Sequence, residues 1–150
     1  EGDVSLFASS SYVQLALRKQ HPDLRIKLIP GIPAVCAAAA ASADMAIDWP
    51  LALQQDGVLI RPCPDHESDL EGLLELAESN GMALALIKLG QRWPWVRACL
   101  ERRQLLEASL FAQRVGWPDQ VLARAIDIPA ESKPYFSLLL IRQTWPEVLP

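Results

Sequence analysis

The 150-residue chain predicts an α/β layered domain in which helices flank a mixed sheet. Three observations lead there. Short β-rich runs alternate with helical patterns along the chain. Residues 65–80 place Leu70, Leu73, Leu74 and Ala77 on one helical face, away from Glu67, Glu71, Glu75 and Glu78. Residues 82–89 form a nearly uncharged run, which suits a central strand buried on both faces. The composition agrees, with 51% hydrophobic and 21% charged residues, a globular balance. The chain carries 14 Lys+Arg against 18 Asp+Glu, a net charge of −4. That balance offers no basic face for nucleic acid and no attraction to an acidic membrane surface. No stretch reaches the ~18 uncharged apolar residues of a spanning helix. The longest candidate, residues 32–43, is too short and too rich in Ala.

Taken in order, residues 12–20 read as a helix. Val13, Leu15, Ala16 and Leu17 give it a face to bury, and Ser9, Ser10 and Ser11 offer capping hydroxyls. His21-Pro22 stops it. Residues 25–29 alternate charged and apolar side chains, as a short strand does, and Pro30-Gly31 turns the chain. Residues 32–42 are Ala-rich, with strong helix propensity and every prospect of close packing. A loop over 43–55 leads to a strand at 57–61, ended by Pro62 and Pro64. The helix of 65–80 stops at Asn80-Gly81, and the strand of 82–89 turns at Gly90. A helix over 94–103 has Pro94 in its first turn. Strands follow at 109–115, at 121–126 and at 136–142, with a Gly116-Trp117-Pro118 turn after the first of them.

Self-contained catalytic sets are scarce. The two histidines are His21, at a helix end, and His66. Cys63 and His66 stand three apart, but zinc sites need a second such pair, so no metal is expected. Cys36, Cys63 and Cys99 cannot all pair and show no CxxC pattern, which fits a reducing, cytoplasmic compartment. Helix capping explains the serine run better than nucleophilic catalysis, for no His base stands at a recognisable spacing. Trp93 and Trp95 could face a planar ligand, with core or rim packing as the default. Three Gly-containing turns remain: Glu1-Gly2-Asp3, Ile29-Pro30-Gly31-Ile32 and Lys88-Leu89-Gly90. Ligands of α/β folds sit at such turns, where Gly lets backbone groups approach closely.

In this order the turns resemble those of the tetrapyrrole (corrin/porphyrin) methyltransferase family. Glu1-Gly2-Asp3-Val4-Ser5-Leu6-Phe7 is similar to the family's Glu-Gly-Asp-Pro loop, and Leu28-Ile29-Pro30-Gly31-Ile32 to its Val-Pro-Gly-Ile turn. Ile87-Lys88-Leu89-Gly90 resembles a Met-Lys-Leu-Gly turn, Arg114-Val115-Gly116 with Gln120 a further block, and Pro134-Tyr135-Phe136-Ser137 a late strand. Within the family, the set looks most like the branch that methylates carbon 20 of precorrin-2 in cobalamin biosynthesis. The resemblance implies two α/β domains holding S-adenosylmethionine between them. Residues 1–24 would then end the first domain and residues 25–150 form the second. The abrupt start at Glu1, without Met, makes the chain the expected later part of a longer protein.

Cofactor contacts implied by the resemblance fall on Glu1, Gly2, Asp3 and Leu6, then on Pro33 and Ala34, then on Ile87 and Leu110. Val4 stands for the family's Pro, and Ile87 for its Met. Pro33 and Ala34 stand for a Ser/Thr pair, which removes two hydroxyls and one backbone donor. A substrate bearing many carboxylates calls for cations, and Lys88, Arg92 and Arg114 are the candidates. The implied chemistry is methyl transfer by proximity and orientation, with no catalytic residue assigned. A homodimer is implied as well. Two alternatives stay open: a sister methylase of other regiospecificity, diphthine synthase included, and a non-catalytic remnant or dimerisation module.

Overall fold

A computed structural model describes residues 2–45 and 47–145. Helix α1 (Ser10–Gln20) and helix α2 (Ala34–Ala41) precede strand β1 (Gly57–Pro62), helix α3 (Glu67–Ser79) and strand β2 (Met82–Ile87). Helix α4 (Trp93–Arg102) then leads to β3 (Ser109–Gln113), β4 (Val121–Arg124) and β5 (Ser137–Ile141). The strands form one mixed sheet in the order β1-β2-β5-β3-β4, with β1 parallel to β2 and the other neighbours antiparallel. The parallel β1–β2 pair is bridged by α3, as a parallel connection requires.

Alternation along the strands builds two cores. Leu84, Leu86, Phe111, Leu139 and Ile141 face one side, where α3 supplies Leu70 and Leu74 and α4 supplies Trp93 and Val96. Ala85, Leu110, Ala112, Leu138 and Leu140 face the other, against Val35 and Ala38 of α2. The small Ala85 and Ala112 let the Ala-rich helix approach the sheet closely. Trp93 belongs wholly to the first core: its indole N–H donates to the Pro129 carbonyl at 2.9 Å, and its ring lies 5.2 Å from Phe111. Trp95 packs half-buried against the same core. Neither tryptophan reaches a planar-ligand cavity.

Four expectations need correction. Residues 25–29 form no strand; they run extended and mostly exposed, because no neighbouring strand among the described residues pairs with their N–H and C=O groups. Helix α2 begins at Ala34, since Pro33 caps it from an extended conformation, and only Val35 and Ala38 within it are buried. One face of α2 lies on the sheet while Ala34, Cys36 and Ala40 stay exposed. Helix α1 has no buried residue: Tyr12, Val13 and Leu15 are exposed, because nothing among the described residues packs on their face. Ser9 makes no side-chain cap, and the Ser11 hydroxyl instead donates to the Val4 carbonyl at 3.0 Å, tying the preceding loop to α1.

Arg142, 2% exposed, locks the end of β5 to the loop before β1. It donates to the Pro50 carbonyl at 3.0 Å and the Leu51 carbonyl at 3.3 Å, and it pairs with Asp56. The Arg142 hydrogen bond holds the Asp56 carboxyl below its ordinary value of 3.8. Arg142→Met leaves these acceptors unpaired, and urea unfolding is expected to show a loss of about 3 kcal/mol. The Asp56 contribution is present above the unfolded carboxylate value and disappears as pH falls through the lower folded value. The stability of the Arg142→Met variant should therefore fall less steeply than wild type in that acid window.

Candidate active site

Because β5 runs antiparallel to both β2 and β3, its first residue lies at the same sheet edge as their last residues. A cavity of about 660 Å³ opens at that edge. Ile87 and Lys88 come from the end of β2 and the residue after it, Ala112 and Arg114 from β3 and the residue after it, and Phe136 and Ser137 from the entry to β5. Pro33 and Ala34 at the start of α2, with Gly2, Asp3 and Leu6, form the facing wall.

Two glycines make that wall possible. A Cβ at Gly31 would collide with the Gly2 carbonyl oxygen, so the two turns meet backbone to backbone. Gly2 itself sits at φ +78°, in the left-handed region. Asp3 fastens the contact by accepting from the Gly31 N–H at 2.9 Å and from the Ser5 N–H at 2.8 Å. The Ser5 hydroxyl also donates to it. The Ser5 hydroxyl first, then the Gly31 and Ser5 amides, hold the Asp3 carboxyl below its ordinary range. An anion thus stands on a wall whose other polar side chains are the hydroxyls of Ser9 and Ser10.

The opposite wall is cationic and aromatic. Lys88 and Arg114 line the cavity beside Trp117, Tyr135 and Phe136. Lys88 pairs with no carboxylate among the described residues. The Arg114 Nε lies 3.1 Å from Asp119 Oδ1, without the alignment of a hydrogen bond. Phe7, Lys88 and Arg114 have left-handed backbones at φ 54°, 61° and 50°, and all three line this cavity. Each such residue costs about 1 kcal/mol, strain of the kind held at functional sites. Ser137 supplies the restraint: its hydroxyl accepts from the Gly90 N–H at 3.2 Å and donates to the Pro134 carbonyl at 2.7 Å. Its carbonyl accepts from the Leu89 N–H at 3.1 Å, and Phe136 holds the Arg114 N–H at 2.9 Å.

Six of the implied cofactor positions, Gly2, Asp3, Leu6, Pro33, Ala34 and Ile87, therefore meet on one cavity. Glu1 lies outside the described residues. Leu110 does not reach the cavity; it is buried two residues before Ala112, packed with Val35 and Ala38. Lys88 and Arg114 are on the wall, whereas Arg92 sits in an adjoining recess of about 350 Å³, its Nε 2.9 Å from Asp65. Gly90 opens on that recess too. Cys63 and His66 join no group of three metal ligands among the described residues. Burial pushes the Cys63 thiol up to about 11, so it is a packed thiol and not a reactive one. Glu67, Glu71 and Cys99 do cluster, but Arg102 and Arg103 already occupy the carboxylates. Sequence reasoning missed Trp117, Tyr135 and Phe136 as site residues. The signal was present in the Gly116-Trp117-Pro118 turn and in the adjacent Tyr135-Phe136 pair at a strand entry.

Residues 1–126 match the family described as Tetrapyrrole (Corrin/Porphyrin) Methylases. The chain belongs to this family. It is 29% identical over 146 residues to the cobalamin biosynthesis protein CobIJ of Mycobacterium bovis, covering 94% of this chain and 25% of that protein. The chain thus spans about a quarter of the length of that curated relative. Among solved structures, the methyltransferase CobJ is 25% identical with a TM-score of 0.63, over 94% of this chain and 61% of that one. The uroporphyrin-III C-methyl transferase of Thermus thermophilus, solved with S-adenyl homocysteine, shares the fold at 17% identity and a TM-score of 0.53, over 95% of this chain and 63% of that one. No helix among the described residues is long and apolar enough to cross a membrane.

The hydrogen bonds of Asp3 can be tested directly. Asp3→Ala removes the acceptor for two backbone amides, and hydrogen exchange at Gly31 and Ser5 should speed up by roughly tenfold. In the wild type, protection at both amides should persist below the usual carboxylate range and fade only as Asp3 protonates.

Proposed function

We propose that this chain takes part in S-adenosylmethionine-dependent methylation of a tetrapyrrole in cobalamin biosynthesis, at carbon 20 of precorrin-2. The observation that carries this reading is the polarity of one cavity, lined both by an ionised Asp3 beside the glycine turns and by Lys88 with Arg114. Such a division suits a positively charged cofactor beside a substrate rimmed with carboxylates. Family membership and the likeness to CobIJ support the pathway. The Glu-Gly-Asp start, the Lys88-Leu89-Gly90 turn and the Pro134-Tyr135-Phe136-Ser137 entry favour carbon 20.

The wall fits the cofactor in chemical kind. The meeting of Gly31 with Gly2 leaves backbone, not side chains, facing the ligand, and Asp3 offers the negative charge. Pro33 and Ala34 add surface without hydroxyls, so binding rests on shape, backbone, Asp3 and the hydroxyls of Ser9 and Ser10. When bound, S-adenosylmethionine supplies a methyl group already activated by its positive sulfur. The chain's residues then orient: Gly2, Asp3, Pro33 and Ala34 hold one partner, while Lys88 and Arg114 hold carboxylates of the other. No side chain need move a proton at the methyl itself. Arg92, paired with Asp65, serves from the recess.

The proposal extends to organisation. Residues 1–24 end one domain and residues 25–150 form a second. The bare apolar face of α1, with Tyr12, Val13 and Leu15 exposed, supports that division. A homodimer and a cytoplasmic location complete it; free Cys36, Cys63 and Cys99 suit a reducing compartment.

Calorimetry with S-adenosylhomocysteine is expected to show binding, weakened roughly tenfold or more by Gly31→Ala. Incubation with precorrin-2 and carbon-13 methyl-labelled cofactor should put the label on carbon 20. A label on another ring carbon means a sister methylase. Cofactor binding without transfer means a non-catalytic module. Absence of binding sinks the reading.

A further inference from the structure

Trp117, Tyr135 and Phe136 are 39%, 57% and 51% exposed, and all line the cavity. Large rings left open to solvent in one place mark a binding surface. The Trp117 and Phe136 centroids are 6.3 Å apart with planes only 32° apart, so the two rings present roughly aligned faces. Tyr135 stands edge-on to Phe136, 5.3 Å away at 79°. The Arg114 guanidinium carbon lies 4.3 Å from the Trp117 centroid, and the Lys88 ammonium 5.8 Å from that of Tyr135. Positive charge thus lies over one face of Trp117 and of Tyr135, and the aromatic group is cationic as well as flat.

The adjoining recess extends that charge. Lys88, Gly90, Gln91, Arg92, Lys133 and Tyr135 line it, and none of these is acidic. The Lys133 side chain is 9% exposed, and its backbone N–H donates to the Gly90 carbonyl at 3.0 Å, so the Gly90 turn fixes its place. Glu131 balances Lys133 and Asp65 balances Arg92, leaving Lys88 as the surplus charge at the mouth shared by the two spaces.

We infer that Trp117 and Phe136 stack on the flat face of a polycarboxylate macrocycle, and that Lys88 and Lys133 hold one of its carboxylate arms in the recess beside Tyr135. The inference rests on the tetrapyrrole reading above and adds the surface that sets the ring's register. Anchoring one arm in the recess decides which ring carbon turns toward the Asp3 wall. A neutral aromatic ligand would use the stacking surface but leave the surplus charge of Lys88 unmatched.

Titration with uroporphyrin III, a flat octacarboxylate, and with its neutral octamethyl ester tests this, beside calorimetry with S-adenosylhomocysteine. Trp117→Ala should weaken uroporphyrin III binding roughly tenfold, and Trp117→Phe should recover most of it. Lys133→Gln should weaken binding of the acid roughly tenfold and leave the ester unchanged, with Lys133→Arg restoring the acid. Binding of S-adenosylhomocysteine should stay within about twofold of wild type in all four variants. If Trp117→Ala or Lys133→Gln binds uroporphyrin III as wild type does, the inference is overturned and the methylase reading stands. A wild-type chain that binds S-adenosylhomocysteine but not uroporphyrin III overturns it likewise. Binding of neither ligand overturns both. If Trp117→Ala or Lys133→Gln also loses S-adenosylhomocysteine, the fold is disturbed, and Trp117→Phe and Lys133→Arg decide: retained binding of uroporphyrin III by both supports the inference, and its loss in either overturns it.

Discussion

The pairing of β5 with both β2 and β3 is the constraint on which the site depends. A strand antiparallel to two neighbours brings its own start beside both of their ends. The cavity is the edge left by that arrangement. Leu138, Leu139, Leu140 and Ile141 make the strand hold, since alternate residues enter opposite cores and none is left to solvent. Burying such side chains contributes roughly 1.5–3 kcal/mol each. Ser137, at the strand's first position, converts this rigidity into a local clamp. Its hydroxyl and carbonyl hold the turn of residues 88–90 against that of residues 134–137.

Rigidity there serves a purpose that stability alone would not. Lys88 and Arg114 directly follow β2 and β3 in left-handed backbone, an unfavourable state for a side chain with a Cβ. Glycine would fit those positions without strain but would carry no charge. The sheet and the Ser137 clamp keep both cations at the cavity. On the facing wall the choice is reversed: Gly31 has no side chain because the Gly2 backbone occupies the space. Charge is placed where strain can be borne, and bare backbone where contact is closest.

The two walls are also opposed in sign. Asp3 is ionised by amide and hydroxyl donors rather than by a cation, so its charge is not cancelled locally. Across the cavity, Arg114 is only partly answered by Asp119, and Lys88 by nothing described. In a partly enclosed space between apolar surfaces, such charges act more strongly than they would in water. A chain with net charge −4 can thus still present a cationic wall: the local field, not the total, decides.

Most of the layering was legible in the sequence. The Leu70-Leu73-Leu74-Ala77 face of α3 and the uncharged run of β2 are local patterns, and each can be buried in only one sensible way. Six of the positions implied by the order of the motifs share one cavity. The sequence could not show that residues 25–29 lack a partner strand, because pairing depends on which strands lie alongside. Nor could it show that α1 keeps Tyr12, Val13 and Leu15 exposed, since an apolar stripe declares an appetite for burial and not whether a surface is there to meet it. Leu110 and Ala112 share a face of β3, yet only Ala112 is near enough to the strand's end to reach the cavity. The aromatic wall was hidden for the same reason. Trp117 and Phe136 are 19 residues apart in the chain, and their meeting is a product of the β3–β5 pairing alone. What the chain determined by itself is therefore its periodicity and its turns, which are properties of neighbouring residues; the opposition of Asp3 to Lys88 and Arg114 was decided by tertiary structure, because charge complementarity across a cavity exists only once distant segments share a sheet edge.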